Sequence, residues 1–139
     1  MPTLQLKIAG LQNPRRYQAL AGALTRLTAQ HLGKRPEVTA VTIEDLPAAR
    51  WYIGGEAVQR SAALLEISIT QGTNTPQEKA AFIEAAFAEL QRQLGDGQPL
   101  EPASYVVVHE VPATDWGYAG ITQKARQLAR EKAAGTVAA

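Results

Sequence analysis

Thr-Leu-Gln-Leu-Lys-Ile at residues 3–8 and Leu-Glu-Ile-Ser-Ile-Thr at residues 65–70 decide the fold of this chain. In each, apolar residues alternate with polar ones, as in a strand with one face buried and the other open. Each is followed by a short polar loop and a helix start, Asn13 before Pro14 and Thr75 before Pro76. An Asn or Thr oxygen accepts from a free amide of the first turn, and proline at the first helical position forfeits no hydrogen bond. Glu78, three residues after Thr75, completes a capping box that the first start lacks.

The segments that follow carry apolar stripes at helical spacing, Tyr17, Leu20, Leu24 and Leu27 in the first and Ile83, Phe87, Leu90 and Leu94 in the second. Both stop at a glycine, Gly33 and Gly95. A linker with proline then leads to a second strand, Val38 to Ile43 in one copy and Tyr105 to His109 in the other. Each runs into an acidic residue, a proline and a tryptophan, as EDLPAARW ending at Trp51 and HEVPATDW ending at Trp116. The copies lie about 61 residues apart at the first strand and 65 at the tryptophan, with three extra residues between Gly95 and Val106.

Each copy is a strand-helix-strand unit whose two strands should be parallel, joined by a right-handed crossover. Residues 1–60 make the first unit and 61–139 the second, because 139 residues suffice for one compact domain but not for two independent ones. The expected class is α+β: two tandem β-α-β units forming a four-stranded mixed sheet with two helices on one face. The other face is expected to carry Leu, Ile and Val without a cover, which oligomerisation would bury. The tail after Leu128 reads as a fraying helix end or disorder.

With 14 basic and 13 acidic residues, the chain has no large field for gripping nucleic acid or an anionic membrane. No cysteine offers a disulfide framework, no apolar run reaches the length of a membrane span, and MPTLQLKIAG at the start lacks a secretory pattern. A soluble, cytoplasmic protein is expected.

The opening MPTLQLKI, the repeated unit of about 60 residues and WYIGGE at residues 51–56 resemble the tautomerase superfamily, in the form of a fused two-repeat 4-oxalocrotonate tautomerase. The resemblance implies a fold like that of macrophage migration inhibitory factor, assembled as a homotrimer in which six units form a barrel-like core. It also implies an isomerase that needs no cofactor or metal and acts on a small-molecule enol or unsaturated acid. Its catalytic group would be Pro2, freed by removal of Met1. A secondary amine can serve as base or acid, and an apolar pocket lowers its pKa by disfavouring the charged form. The second copy has Ala63 at this position, with its nitrogen in a peptide bond. Alternatively, Pro2 merely opens an edge strand.

The family's founding enzyme holds a dicarboxylate with two arginines. The positions that match them are Gln12 and Thr73 for one, Ala40 and Tyr105 for the other, and none is basic. The bidentate grip of arginine is therefore missing there, which argues against a diacid. Tyr105 resembles the tyrosine that pairs with the proline in cis-3-chloroacrylic acid dehalogenase, where a phenol donates to a developing enolate oxygen. Otherwise it packs in its strand with its hydroxyl satisfied by backbone. Trp116 and Trp51 match the family's aromatic position near the hairpin, and Trp116 is preferred for the Pro2 pocket; either could be an interface anchor. Arg50, Lys124 and Arg126 are candidates to replace the missing grip. His31 and His109 read as structural, and Glu44, Asp45 and Glu110 as solvated charge at strand ends.

The resulting expectation is interconversion of enol and keto forms of a 2-hydroxyalkenoate or aryl enolpyruvate. The alternatives are a Pro2-dependent hydratase or dehalogenase of short unsaturated acids, which would need an acidic residue near Pro2, and a degenerate trimeric scaffold or binding protein.

Overall fold

The computed structural model describes residues 2–10 and 14–138. Met1, Gln12 and the cap expected at Asn13 lie outside the described residues. In chain order the elements are β1 (Thr3–Ala9), α1 (Pro14–Leu32), β2 (Ala40–Leu46), the short strands β3 (Tyr52–Ile53) and β4 (Glu56–Ala57), β5 (Ala62–Thr70), α2 (Pro76–Leu94), β6 (Tyr105–Val111), the short strands β7 (Gly117–Tyr118) and β8 (Ile121–Thr122), and α3 (Gln123–Ala138).

The main sheet has the order β2-β1-β5-β6. β1 pairs parallel with β2, and β5 with β6, while β1 and β5 run antiparallel at the centre. This is the mixed α+β sheet that the repeat demanded, with each β3-β4 or β7-β8 hairpin following its unit's second strand. The copies match in detail. Thr3 faces Ala40 at the start of one parallel pair, and Leu64 faces Tyr105 at the start of the other.

Leu4, Leu6 and Ile8 of β1 and Leu65, Ile67 and Ile69 of β5 are buried in one core with Leu20 and Leu24 of α1 and Phe82, Ala86 and Leu90 of α2. Both helices therefore lie on the same face of the sheet. At the start of α2, Thr75 Oγ1 accepts from the Glu78 amide at 3.1 Å and Glu78 Oε1 accepts from the Thr75 amide at 2.8 Å, the reciprocal cap that its sequence spells. Gly33 closes α1 with φ +68°, a left-handed conformation that favours glycine, and its amide donates to the Ala29 carbonyl at 3.0 Å.

Three expectations need correction in part. The stripe on α2 holds at Leu90 and Leu94 and is turned by one residue at its start, so that Phe82 is buried and Ile83 is 38% exposed. A helix with several adjacent apolar residues leaves its rotation undecided until it meets the sheet. The open sheet face carries only part of the Leu, Ile and Val expected there. Alternation sends most of those residues toward the helices and leaves Thr3, Gln5, Lys7, Glu66, Ser68 and His109 outward beside Leu64, Val107 and Val111, with His109 Nε2 3.0 Å from Glu66 Oε1. Any partner on this face meets a mixed surface, polar toward β1 and more apolar along β6. Finally, the segment after Leu128 continues as helix α3 to Ala138.

Candidate active site

Pro2 is buried at the start of β1, and its carbonyl accepts from the Ala40 amide at 3.3 Å. The register next to Thr3 and Ser68 sets it at the end of the sheet where β5 finishes at Thr70. At this end α1 gives way to Gly33, Lys34 and Arg35, and the β7-β8 hairpin leads into α3. Together they line a cavity of about 230 Å³. Its polar side chains include Lys34, Arg35, Thr70, Thr73, Gln123 and Arg130.

Thr73, expected as a substrate contact, lies in this cavity. Its hydroxyl donates to the Thr70 carbonyl at 2.6 Å and accepts from Lys34 Nζ at 2.8 Å. Burial pushes the Lys34 ammonium below its ordinary pKa, and the Glu78 carboxylate partly offsets the shift. Arg35 is engaged with Glu37 at 2.8 Å. Gln123 is only 4% exposed, and its Nε2 has no hydrogen-bond partner among the described residues. The Tyr118 ring also borders the cavity and carries the Arg126 guanidinium 3.7 Å from its centroid.

Trp116 precedes this hairpin, and its carbonyl accepts from the Gln123 amide at 2.9 Å. Its indole Nε1 is buried and without a partner among the described residues. Trp51 and Tyr105 lie elsewhere. With Tyr52, Ala63 and Leu64 they line a cavity of about 360 Å³ at the opposite end of the sheet. Ala63 stands opposite Ile8, six residues along β1 from Pro2 and roughly 20 Å away at the usual strand rise. Its amide is committed to Ser104 Oγ at 3.1 Å, so nothing there can act as the amine does. Within one chain, then, Pro2 is grouped with Thr73 and the Trp116 hairpin, whereas Tyr105 and Trp51 belong to the end that holds Ala63.

The cations proposed to replace the arginines do not line the cavity at the Pro2 end. Arg50 sits in an exposed turn, the Lys124 side chain is exposed, and Arg126 is held by the Tyr118 ring and carbonyl. Lys34 and Arg130 line it instead. Lys34 follows the end of a helix, and Arg130 fell in the tail read as a fraying helix end or disorder; no periodicity marks either as part of a site. Glu44 and Asp45 lie at the Ala63 end of the sheet. Tyr17 donates its hydroxyl to Asp45 Oδ2, and burial raises that carboxyl's pKa. Glu110, at the Pro2 end, is paired with Lys79 at 3.0 Å.

The chain thus builds a doubled β-α-β sheet with Pro2 buried at the end that also holds this cavity, although Pro2 is not among the residues that line it. Residues 2–60 match the family model described as Tautomerase enzyme. Probable tautomerase K2 of Dickeya dadantii (strain 3937) is 37% identical over 60 residues, which cover 42% of this chain and 88% of that relative. The chain belongs to the tautomerase family. Among solved structures, it is similar to the Q0 fused 4-OT wild type symmetric trimer, at 27% identity and a TM-score of 0.77 over 89% of this chain and 98% of that one. It is also similar to the F6 fused 4-OT wild type asymmetric trimer, at 25% identity and a TM-score of 0.77 over 91% and 98%. Among the described residues, no helix is long and apolar enough to cross a membrane.

Proposed function

We propose that this chain is an isomerase that uses the free amine of Pro2 to interconvert enol and keto forms of a 2-hydroxyalkenoate or aryl enolpyruvate, and that it works as a homotrimer. The observation that carries the reading is the burial of Pro2 at the sheet end that also holds a cavity, while its counterpart Ala63 has its nitrogen tied to Ser104. An amine held away from water loses its proton more readily and becomes a base near neutral pH. It would take the enol hydroxyl proton as the carbonyl forms, then return that proton to carbon further along the conjugated chain. Atoms and charge balance without a cofactor. Oxygen carries negative charge between the two transfers, and a hydrogen-bond donor at that oxygen lowers the barrier.

Tyr105 is a candidate for that donor only from a neighbouring protomer. It is 64% exposed at the start of β6, an outer strand with one unpaired edge, and its own chain holds it at the wrong end of the sheet. The fused 4-OT relatives are trimers. A ring in which the β6 edge of one protomer meets the β2 edge of the next would cover both free edges. The hydratase reading is weaker: among the described residues no acidic side chain lines the cavity at the Pro2 end, and Glu110 is occupied by Lys79.

The test is the rate of phenylenolpyruvate ketonisation by protein whose intact mass shows that Met1 is gone, beside the Pro2→Ala variant. The expected loss is about 10²-fold or more. Equal rates, or none above buffer, would overturn the assignment and favour the scaffold reading.

A further inference from the structure

The geometry points to helix α3 as part of the Pro2 site, where Arg130, Lys34 and the Gln123 amide together bind the carboxylate of a monoanionic substrate. This rests on the reading of Pro2 given above and supplies the anion grip that the family's arginine positions lack here. Three observations carry it. The cavity at the Pro2 end is bordered by the cations Lys34, Arg35 and Arg130 and by no carboxylate among the described residues. Of these, Arg35 is neutralised by Glu37, whereas Arg130 has no acidic partner among the described residues and Lys34 is held in place by Thr73. Gln123 is buried against the same cavity and its amide nitrogen has no partner among the described residues; an unsatisfied buried donor costs free energy, which a ligand oxygen would recover once the side chain turns toward the cavity.

The arrangement also sets the charge of the ligand. A guanidinium, an ammonium and an amide on the residues that border about 230 Å³ suit one planar carboxylate. The hairpin side offers the Tyr118 ring, suited to an apolar or aromatic body. A second carboxylate would find no second cationic cluster in this cavity, so a monoacid is favoured over a diacid. Because Gln123 and Arg130 both lie on α3, the unit's C-terminal helix becomes a wall of the site.

The test is titration of the intact protein with phenylpyruvate, read by tryptophan fluorescence, and with its methyl ester as the uncharged counterpart. Arg130→Ala and Lys34→Ala should each weaken phenylpyruvate binding by roughly tenfold or more, and Arg130→Lys should recover part of it. Wild-type protein should bind the ester about as weakly as the Arg130→Ala variant binds the acid. In turnover assays the Arg130→Ala defect should appear mainly in KM, whereas Pro2→Ala should lose kcat while still binding phenylpyruvate. Phenylpyruvate affinity unchanged in both Arg130→Ala and Lys34→Ala, with circular dichroism unaltered, would overturn the α3 site and leave the Pro2 reading standing. Tight binding that depends on Arg130, without any turnover by wild-type protein, would support the anion site and remove the isomerase.

Discussion

Gln5 of β1 stands opposite Glu66 of β5, and the two occupy the same position in the two units. The approximate two-fold axis relating the units therefore passes between them. Everything on one side of this pair has a counterpart on the other: Pro2 with Ala63, Ala40 with Tyr105, and the Trp116 hairpin with the Trp51 hairpin. Fusion of the units leaves a chain with a single terminal amine. Only one of two geometrically similar ends can carry amine chemistry, and Tyr105 lies at the other.

This separation makes the role of Tyr105 testable by mixing. Pro2→Ala and Tyr105→Ala proteins, each expected to be nearly inactive, should regain activity when unfolded and refolded together. Random assembly of trimers would make about a quarter of the sites whole if each site takes its tyrosine from a neighbour. Activity that stays at the mean of the two variants would place Tyr105 outside the site.

The rotation of α2 predicts unequal costs at adjacent residues. Phe82→Ala should destabilise the protein by about 3–5 kcal/mol, because the ring is fully buried against both central strands. Ile83→Ala should cost about 1 kcal/mol or less. Urea denaturation of the two variants checks this, and comparable losses would contradict the packing.

The cap of α2 should be worth about 1 kcal/mol at Thr75. Thr75→Ala removes the oxygen that accepts from the Glu78 amide, whereas Thr75→Ser keeps it. A Thr75→Ser protein as unstable as Thr75→Ala would mean that the hydroxyl is not the stabilising group.

The burial of Asp45 gives a pH dependence of known sign. Burial raises the folded pKa of Asp45, so the fold favours its protonated form more than the unfolded chain does. The associated stability is fully present below the ordinary aspartate pKa and is lost as pH rises through the higher folded value. Asp45→Asn should therefore gain stability over wild type on going from acidic to neutral pH. A difference in urea midpoint that does not change across this range would show that the folded carboxyl titrates like the unfolded one.

Much of the proposed site is hidden from one-dimensional reading. Pro2 and Thr73 could be named as candidates because the family resemblance maps onto strands that alternation marks plainly. Lys34 and Arg130 could not, because each is a polar residue near a helix end or on an exposed helix, where charge is commonplace. Gln123 becomes distinctive only through burial, which depends on how α3 leaves the hairpin.

The sequence by itself determined the two β-α-β units, their strand faces and the α2 cap, because period-two alternation, helical spacing and capping chemistry are local properties of the chain. Tertiary structure decided which apolar residues of α2 face the core, which strand residues are left on the outer face of the sheet, and which side chains line the cavity at the Pro2 end. Those outcomes depend on helix rotation, strand register and the antiparallel joining of two units, and contacts between segments more than fifty residues apart have no local signature.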